Sequence, residues 1–241
     1  MIFSAKSDVG PVRKNNQDYC MHGETNGCAW AIVCDGMGGV NGGQVASELC
    51  ARILSDRLKA NLRANIGYSS VRNLLESSVQ AANAAIFAKG ESESALRGMG
   101  TTVVAAVVNS GIAVLAHVGD SRIYKIAEDG IAQLTKDHSV VQMLIDSGKL
   151  TPELAASHPE RNVITRAVGV GETVDVDVDI VDVWDGDILL LCTDGLTGCI
   201  NNTDILKTVN SCDFSISAEN LVNLAVDSGT ADNVTAVLMK S

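Results

Sequence analysis

The sequence predicts an α+β fold built in layers, with antiparallel rather than parallel sheets. One observation is "VVNSGIAVLAHVGDSRIYKI", residues 107–126, where Asn109, Ser110 and Gly111 separate two apolar, β-branched runs and Gly119, Asp120 and Ser121 precede a third. Such short, turn-rich links read as consecutive hairpins of a meander, because parallel strands need long crossovers. A second is the pair of adjacent helical patterns set between groups of strands, an order that suggests helices layered on sheets. A third is the scale of the chain: 241 residues, 46% hydrophobic, mean hydropathy +0.17. That is enough to bury a substantial core as one domain, or at most two small ones.

In chain order, residues 29–34 form the first apolar strand. Helices follow at about 42–60, where Val45, Leu49, Ile53 and Leu54 recur at helical spacing, and at about 69–88, where Val71, Leu74, Leu75, Val79 and Ile86 do so. Strands are expected at 101–108 and 112–118 and again after Ser121. A helix is expected near 138–147. "TVDVDVDIVDV", 173–183, alternates, so Asp175, Asp177 and Asp179 share one strand face and Val174, Val176, Val178 and Ile180 the other. The aspartate face reads as solvated, because ligands projecting in parallel along a strand do not converge on one ion. "DILLLCT", 187–193, is a further buried strand; a helix at about 217–228 has Ser217 as its expected N-cap and Gly229 just beyond its end, and Asp232 opens the last strand.

Charge and cysteine usage narrow the function. Lys and Arg number 18 against 29 Asp and Glu, a net charge of −11 with a sequence pI near 4.7, which argues against binding nucleic acid or anionic membrane through bulk electrostatics. The 7 cysteines lack the paired CxxC spacing of a zinc site and read as small core residues in a reducing compartment. No run approaches a membrane span, and the first residues carry no continuous apolar segment, so a cytoplasmic location is expected.

The chemistry is carried by carboxylates at strand ends. "AIVCDGMGG", 31–39, runs an apolar strand into Asp35 with no basic residue nearby, and "LLLCTDGLTG" does the same with Asp194. Asp120 sits at a corner after another apolar strand, and Asp232 stands before the last. A single Asp beside Gly is usually a turn former. Gathered at one sheet edge, however, these carboxylates would repel and raise one another's pKa unless a cation neutralised them. Oxygen-only ligation points to Mg²⁺ or Mn²⁺, Gly36 leaves its own carbonyl free to face a metal, and Arg13 in "GPVRKNNQD" can grip a phosphoryl group bidentately. The glycines after Asp35 do not make a dinucleotide site: Gly36, Gly38 and Asn41 miss the third glycine, and Asp35 would oppose the pyrophosphate.

"GPVRKNNQD" (10–18), "CDGMGG" (34–39), "GMGTT" (98–102), "VGDSR" (118–122), "LTKDHS" (134–139), "HPERNVITRAVG" (158–169), "CTDGLTG" (192–198) and "ADNVTAV" (231–237) together resemble, in order, the motifs of bacterial metal-dependent Ser/Thr protein phosphatases of the PPM, or type 2C, family. The resemblance implies a four-layer αββα sandwich, two antiparallel sheets flanked by helix pairs, spanning the chain as one catalytic domain. By position, Asp35 would bridge two Mn²⁺ or Mg²⁺ ions, the Gly36 carbonyl would bind the first, and Asp194 and Asp232 would complete the second. Asp18 would orient metal-bound water and Arg13 would hold phosphate. Asp120 with Asp194 matches the pair for a weaker third metal, and about 139–166 matches a flap beside the cleft.

The resemblance further implies direct hydrolysis of phosphoserine or phosphothreonine by a metal-bridging hydroxide, in a monomer that opposes a bacterial Ser/Thr kinase and acts on its targets. Met37 stands where many eukaryotic members have a histidine, Gln17 replaces an acidic residue, and Gly198 replaces an aspartate that helps bind the third metal. The rival reading is a catalytically silent, phosphatase-like module that binds phosphoproteins; retention of Arg13, Asp35, Asp120, Asp194 and Asp232 argues against it.

Overall fold

In the computed structural model, which describes residues 1–39, 41–155 and 157–241, two antiparallel sheets pack face to face with helices on both outer sides. One sheet has the order β1 (Ile2–Asp8), β11 (Val234–Lys240), β10 (Ile188–Cys192), β7 (Arg122–Ala127), β8 (Gly130–Gln133). The other runs β2 (Asp18–Thr25), β3 (Cys28–Met37), β5 (Val103–Asn109), β6 (Ile112–Val118), β9 (Asp177–Asp182), with the short β4 (Gly100–Thr101) also paired to β3. Helices α1 (Gly42–Asn61) and α2 (Tyr68–Ser92) cover the second sheet. The first is covered by α5 (Asp194–Thr197), α6 (Asn202–Ser211) and α7 (Ser217–Asp227). The short helices α3 (Val140–Asp146) and α4 (Pro152–Ala155) lie in the excursion between β8 and β9.

The unbroken apolar strands follow from this layering. Along β3, Ala29, Ala31 and Val33 enter the core between the sheets, while Cys28, Trp30, Ile32 and Cys34 enter the core under α1 and α2. Along β10, Leu189 and Leu191 face the other sheet while Ile188, Leu190 and Cys192 face α6 and α7. A strand covered on both faces has no polar position to offer, so its hydrophobicity is continuous.

The four-layer expectation is met, and several local expectations are corrected. Only the first of the two expected hairpins forms. Ser110 (φ 51°) and Gly111 (φ 81°) both adopt left-handed backbone and close the β5–β6 turn, the geometry that matches strand twist. The link from β6 to β7 is instead a crossing from one sheet to the other. At its corner Gly119 (φ 109°) uses its N–H and C=O on histidine rather than on a partner strand.

The expected strand 173–183 shortens to β9, because its partner β6 ends at Val118 and the ladder begins at His117 opposite Asp177. Val174 is still buried, its carbonyl accepting from Gln80 of α2. Ser217 does not cap α7; it is the helix's first residue, and its hydroxyl donates to the Asp213 carbonyl. Ser139 does cap α3, accepting from the Gln142 N–H.

Candidate metal centre

The carboxylates arrive at one end of the sandwich from both sheets. Asp18 opens β2 and lies directly across the ladder from Asp35 near the end of β3. Asp194 follows β10 at the start of α5, Asp232 stands just before β11, and Asp120 sits at the sheet-to-sheet crossing. Asp35, Gly36, Asp120, Asp194, Asp232 and Arg13 line one cleft of about 350 Å³. Asp18 lies behind them, 6% exposed, with Oδ2 accepting from the hydroxyls of Thr193 (2.9 Å) and Thr235 (2.7 Å).

The backbone around Asp35 is fixed on every side. Its N–H donates to the Thr102 hydroxyl, and its carbonyl accepts from the Thr101 hydroxyl and the Thr102 N–H, all at 2.8–2.9 Å. The next residue lies so close to α1 that a Cβ on Gly36 would collide with the Gly43 carbonyl. Glycine is required at this approach for steric reasons.

Electrostatically the cleft is strained. Burial, followed by the charges of Asp18, Asp194, Asp120 and Asp232, pushes the Asp35 carboxyl well above the usual carboxylate range. Burial raises Asp18 to about 7, with Asp194 and Asp232 adding to the effect against the two threonine hydroxyls. Asp120 is raised to about 7 by burial and then by Asp194, and Asp194 is raised by burial and then by Asp232. Two of the carboxylate oxygens, Asp18 Oδ1 and Asp194 Oδ1, are buried without a hydrogen-bond partner among the described residues. Orphaned buried oxygens among mutually repelling carboxylates, with no histidine or cysteine among the described residues of the cleft wall, are the kind of donors that a hard divalent cation takes.

Arg13 stands at the rim, half exposed, its Nη2 2.7 Å from Asp232 Oδ2 and its Nε donating to the Ala231 carbonyl. The loop that carries it is held by Asn233, which the strand-end reasoning did not single out. The Asn233 amide donates to the carbonyls of Val9 and Asn15 and accepts from the Gln17 N–H. Its signal was its place beside Asp232 in "ADNVTAV". The Gln17 amide donates to the Gly39 carbonyl. Met37 lines the cleft as an apolar wall. Gly198 caps α5 one turn beyond Asp194, at an exposed position with no carboxylate. Of the aspartates on the alternating segment, Asp175 and Asp179 are exposed as expected, whereas Asp177 bonds to His138 and Arg166 outside the cleft.

The comparisons with known proteins give the family and the fold. The protein phosphatase 2C family model matches residues 12–238. A serine/threonine phosphatase, stp, of Listeria welshimeri is 38% identical over 239 residues, covering 98% of this chain and 94% of that protein. Among solved structures, the Streptococcus agalactiae serine/threonine phosphatase superimposes with a TM-score of 0.92 at 33% identity, covering 100% of this chain and 99% of the other. The catalytic domain of the serine threonine protein phosphatase PstP, in complex with 2 manganese ions, does so with a TM-score of 0.87 at 36% identity, covering 98% and 96%. The chain belongs to the protein phosphatase 2C family.

Proposed function

We propose that the cleft hydrolyses phosphoserine and phosphothreonine in proteins, with Arg13 and the aspartates of the cleft as its working groups. The protein is a serine/threonine protein phosphatase, as its relatives are named, and it depends on divalent metal. The observation that carries the site assignment is the convergence of Asp35, Asp120, Asp194 and Asp232 on one cleft, with Asp18 buried behind them and Arg13 at its rim.

Asp35, the Gly36 carbonyl, Asp194 and Asp232 would hold two Mn²⁺ or Mg²⁺ ions, and Asp120 with Asp194 a weaker third, for which Gly198 supplies no carboxylate. Bound divalent ions supply charge neutralisation at the phosphoryl oxygens and a water acidified enough to attack phosphorus near neutral pH. The chain does the remaining work. The Arg13 fork, tethered by Asp232 and the Ala231 carbonyl, turns its remaining donors to the phosphoryl oxygens and orients the ester. Asp18, with Oδ2 fixed by Thr193 and Thr235 and Oδ1 unpaired, orients the attacking water. Met37 offers no proton, so the leaving serine or threonine oxygen takes its proton from water.

The excursion 139–166, whose Asn162 and Ile164 line the cleft, would act as the flap against which the substrate protein rests. Position 156 within it lies outside the described residues. We assign the enzyme to the cytoplasm, as a monomer acting against a Ser/Thr kinase and its targets. No helix among the described residues is long and apolar enough to cross a membrane.

The deciding experiment is phosphate release from a phosphothreonine peptide by the purified protein with EDTA, Mg²⁺ or Mn²⁺, beside Asp35→Asn. Release that requires metal and is lost in the variant is the expected result. No release with any metal, from folded protein, would overturn the catalytic reading in favour of a phosphoprotein-binding module.

A further inference from the structure

Beside the cleft lies a second polar cluster that the chemistry above does not use. His117 and His138 stack with ring centroids 4.3 Å apart, and His138 Nε2 lies 3.0 Å from Asp177 Oδ2. Arg166 Nη1 donates to Asp177 Oδ1 at 2.8 Å. His117, His138 and Asp177 offer ligand atoms within 4.8 Å of one another, a spacing a cation could use.

The hydrogen bonds give the cluster a different role. His138 Nδ1 accepts the Gly119 N–H at 3.1 Å. Burial, followed by the Arg166 charge, lowers the His138 pKa against the pull of Asp177, so the ring is neutral near pH 7. A neutral ring with Nδ1 accepting carries its proton on Nε2, which donates to Asp177. The lone pair that a metal would need is an N–H, and the cation on Asp177 is Arg166.

What the cluster ties together is specific. The Gly119 carbonyl accepts from His117 Nε2 and from the His138 N–H, both at 2.8 Å. Both backbone groups of Gly119, the residue before Asp120, are therefore held by histidines. The His138 carbonyl accepts the Thr165 N–H at 2.8 Å, and the Val140 N–H donates to Val163 at 2.9 Å. The excursion thus leaves and rejoins the sandwich at one point, a hydrogen bond away from the Asp120 corner, and its returning end sets Asn162 and Ile164 in the cleft wall.

We propose that His138, Asp177 and Arg166 form a positioning strap that fixes the base of the 139–164 excursion to the Gly119–Asp120 corner, and so sets the wall against which a phosphoprotein substrate docks. The proposal rests on the phosphatase reading for its effect on substrate, and on the hydrogen bonds of His138, Asp177 and Arg166 for the strap. Asp177 is partly exposed and lies outside the cleft, so its loss should loosen the strap and leave the core folded.

Two measurements on Asp177→Ala test this. Hydrogen exchange of the metal-free protein should be faster at the amides of Gly119, Val140 and Thr165 and unchanged in β3, β5 and β10. With Mn²⁺, KM for a phosphothreonine peptide should rise roughly tenfold from the misplaced wall, while kcat/KM for p-nitrophenyl phosphate, which has no peptide chain to rest on that wall, changes less than about twofold. Asp177→Asn keeps one carbonyl oxygen for either Arg166 or His138 and should fall between.

Unchanged exchange at those three amides would overturn the strap. Equal losses on both substrates would overturn the docking role, as would exchange that rises throughout the sheets. If the wild-type protein hydrolyses neither substrate, the phosphatase reading fails while exchange still decides the strap.

Discussion

Two polar clusters sit side by side at one end of the sandwich, and they are satisfied in opposite ways. Around Asp177 every charge has a partner within the chain: Arg166 and His138 on the carboxylate, Gly119 on both histidines. Around Asp35 the chain gathers five aspartates (Asp18, Asp35, Asp120, Asp194 and Asp232); among the described residues Arg13 pairs with one of them at the exposed rim, and Arg122, itself paired with Asp137, acts on Asp120 and Asp194 through its charge alone. Buried polar groups in a folded protein are paired. Where the chain withholds the partner, a partner from outside is expected, and the imbalance is what supports placing the metal there. The paired cluster can only hold geometry.

The contrast breaks most sharply at Asp35. Asp35→Asn should lower phosphate release by about a thousandfold or more, the scale of losing a principal electrostatic group. In EDTA the same variant should melt higher than wild type, because a repelling charge has been removed. A variant that loses activity and also metal-free stability would show that Asp35 is held by the chain after all.

Arg13→Ala should cost about a hundredfold in kcat/KM, and Arg13→Lys should recover only part of it, because an ammonium cannot form the fork. Full recovery by lysine would show that charge alone suffices there.

The pH dependence of metal-free stability sharpens the comparison further. Asp18 and Asp120 titrate near 7 when folded, against an ordinary value of 3.8. Their folded pKa values are raised, so the folded state binds protons more tightly and stability falls as pH rises through 7. His117, held near 4 by burial and His138, works in the opposite direction below about pH 6.5. Between pH 6.5 and 8, thermal melts in EDTA should therefore decline, and saturating Mn²⁺ should remove the decline. The smallest effect is expected on the exposed face of the alternating segment. Asp175→Asn and Asp179→Asn should shift Tm by no more than about 2 °C and leave activity unchanged.

The convergence of the carboxylates was more legible than the path of the chain. Asp35 and Asp194 announce themselves because a strand buried on both faces is uniformly apolar, so a carboxylate at its end stands out. Asp18 has no such contrast. It opens β2, an edge strand of mixed burial, and only the family resemblance singles it out. β1 and β2 escape for the same reason, although Asn26–Gly27, with φ of 51° and 79°, carries the turn chemistry that joins β2 to β3. The β6–β7 crossing was read as a hairpin because Gly-Asp-Ser suits either. The bond from the Gly119 N–H to His138, 19 residues on, belongs to the crossing and has no local signal in those three residues. Asp177 was read as solvated because strand alternation says nothing about an arginine and a histidine arriving from a neighbouring excursion.

The strand order has a consequence for how the enzyme comes into being. β11 lies between β1 and β10, joining the first strand of the chain to the last ones, and Asp232 and Asn233 precede it directly. Asn233 anchors the loop that carries Arg13, and Thr235 of β11 pins Asp18. Residues 1–230 can therefore all be in place and still leave the cleft without Asp232 and Asn233, and Asp18 without its Thr235 partner. A chain lacking β11 should therefore release no phosphate rather than a reduced amount.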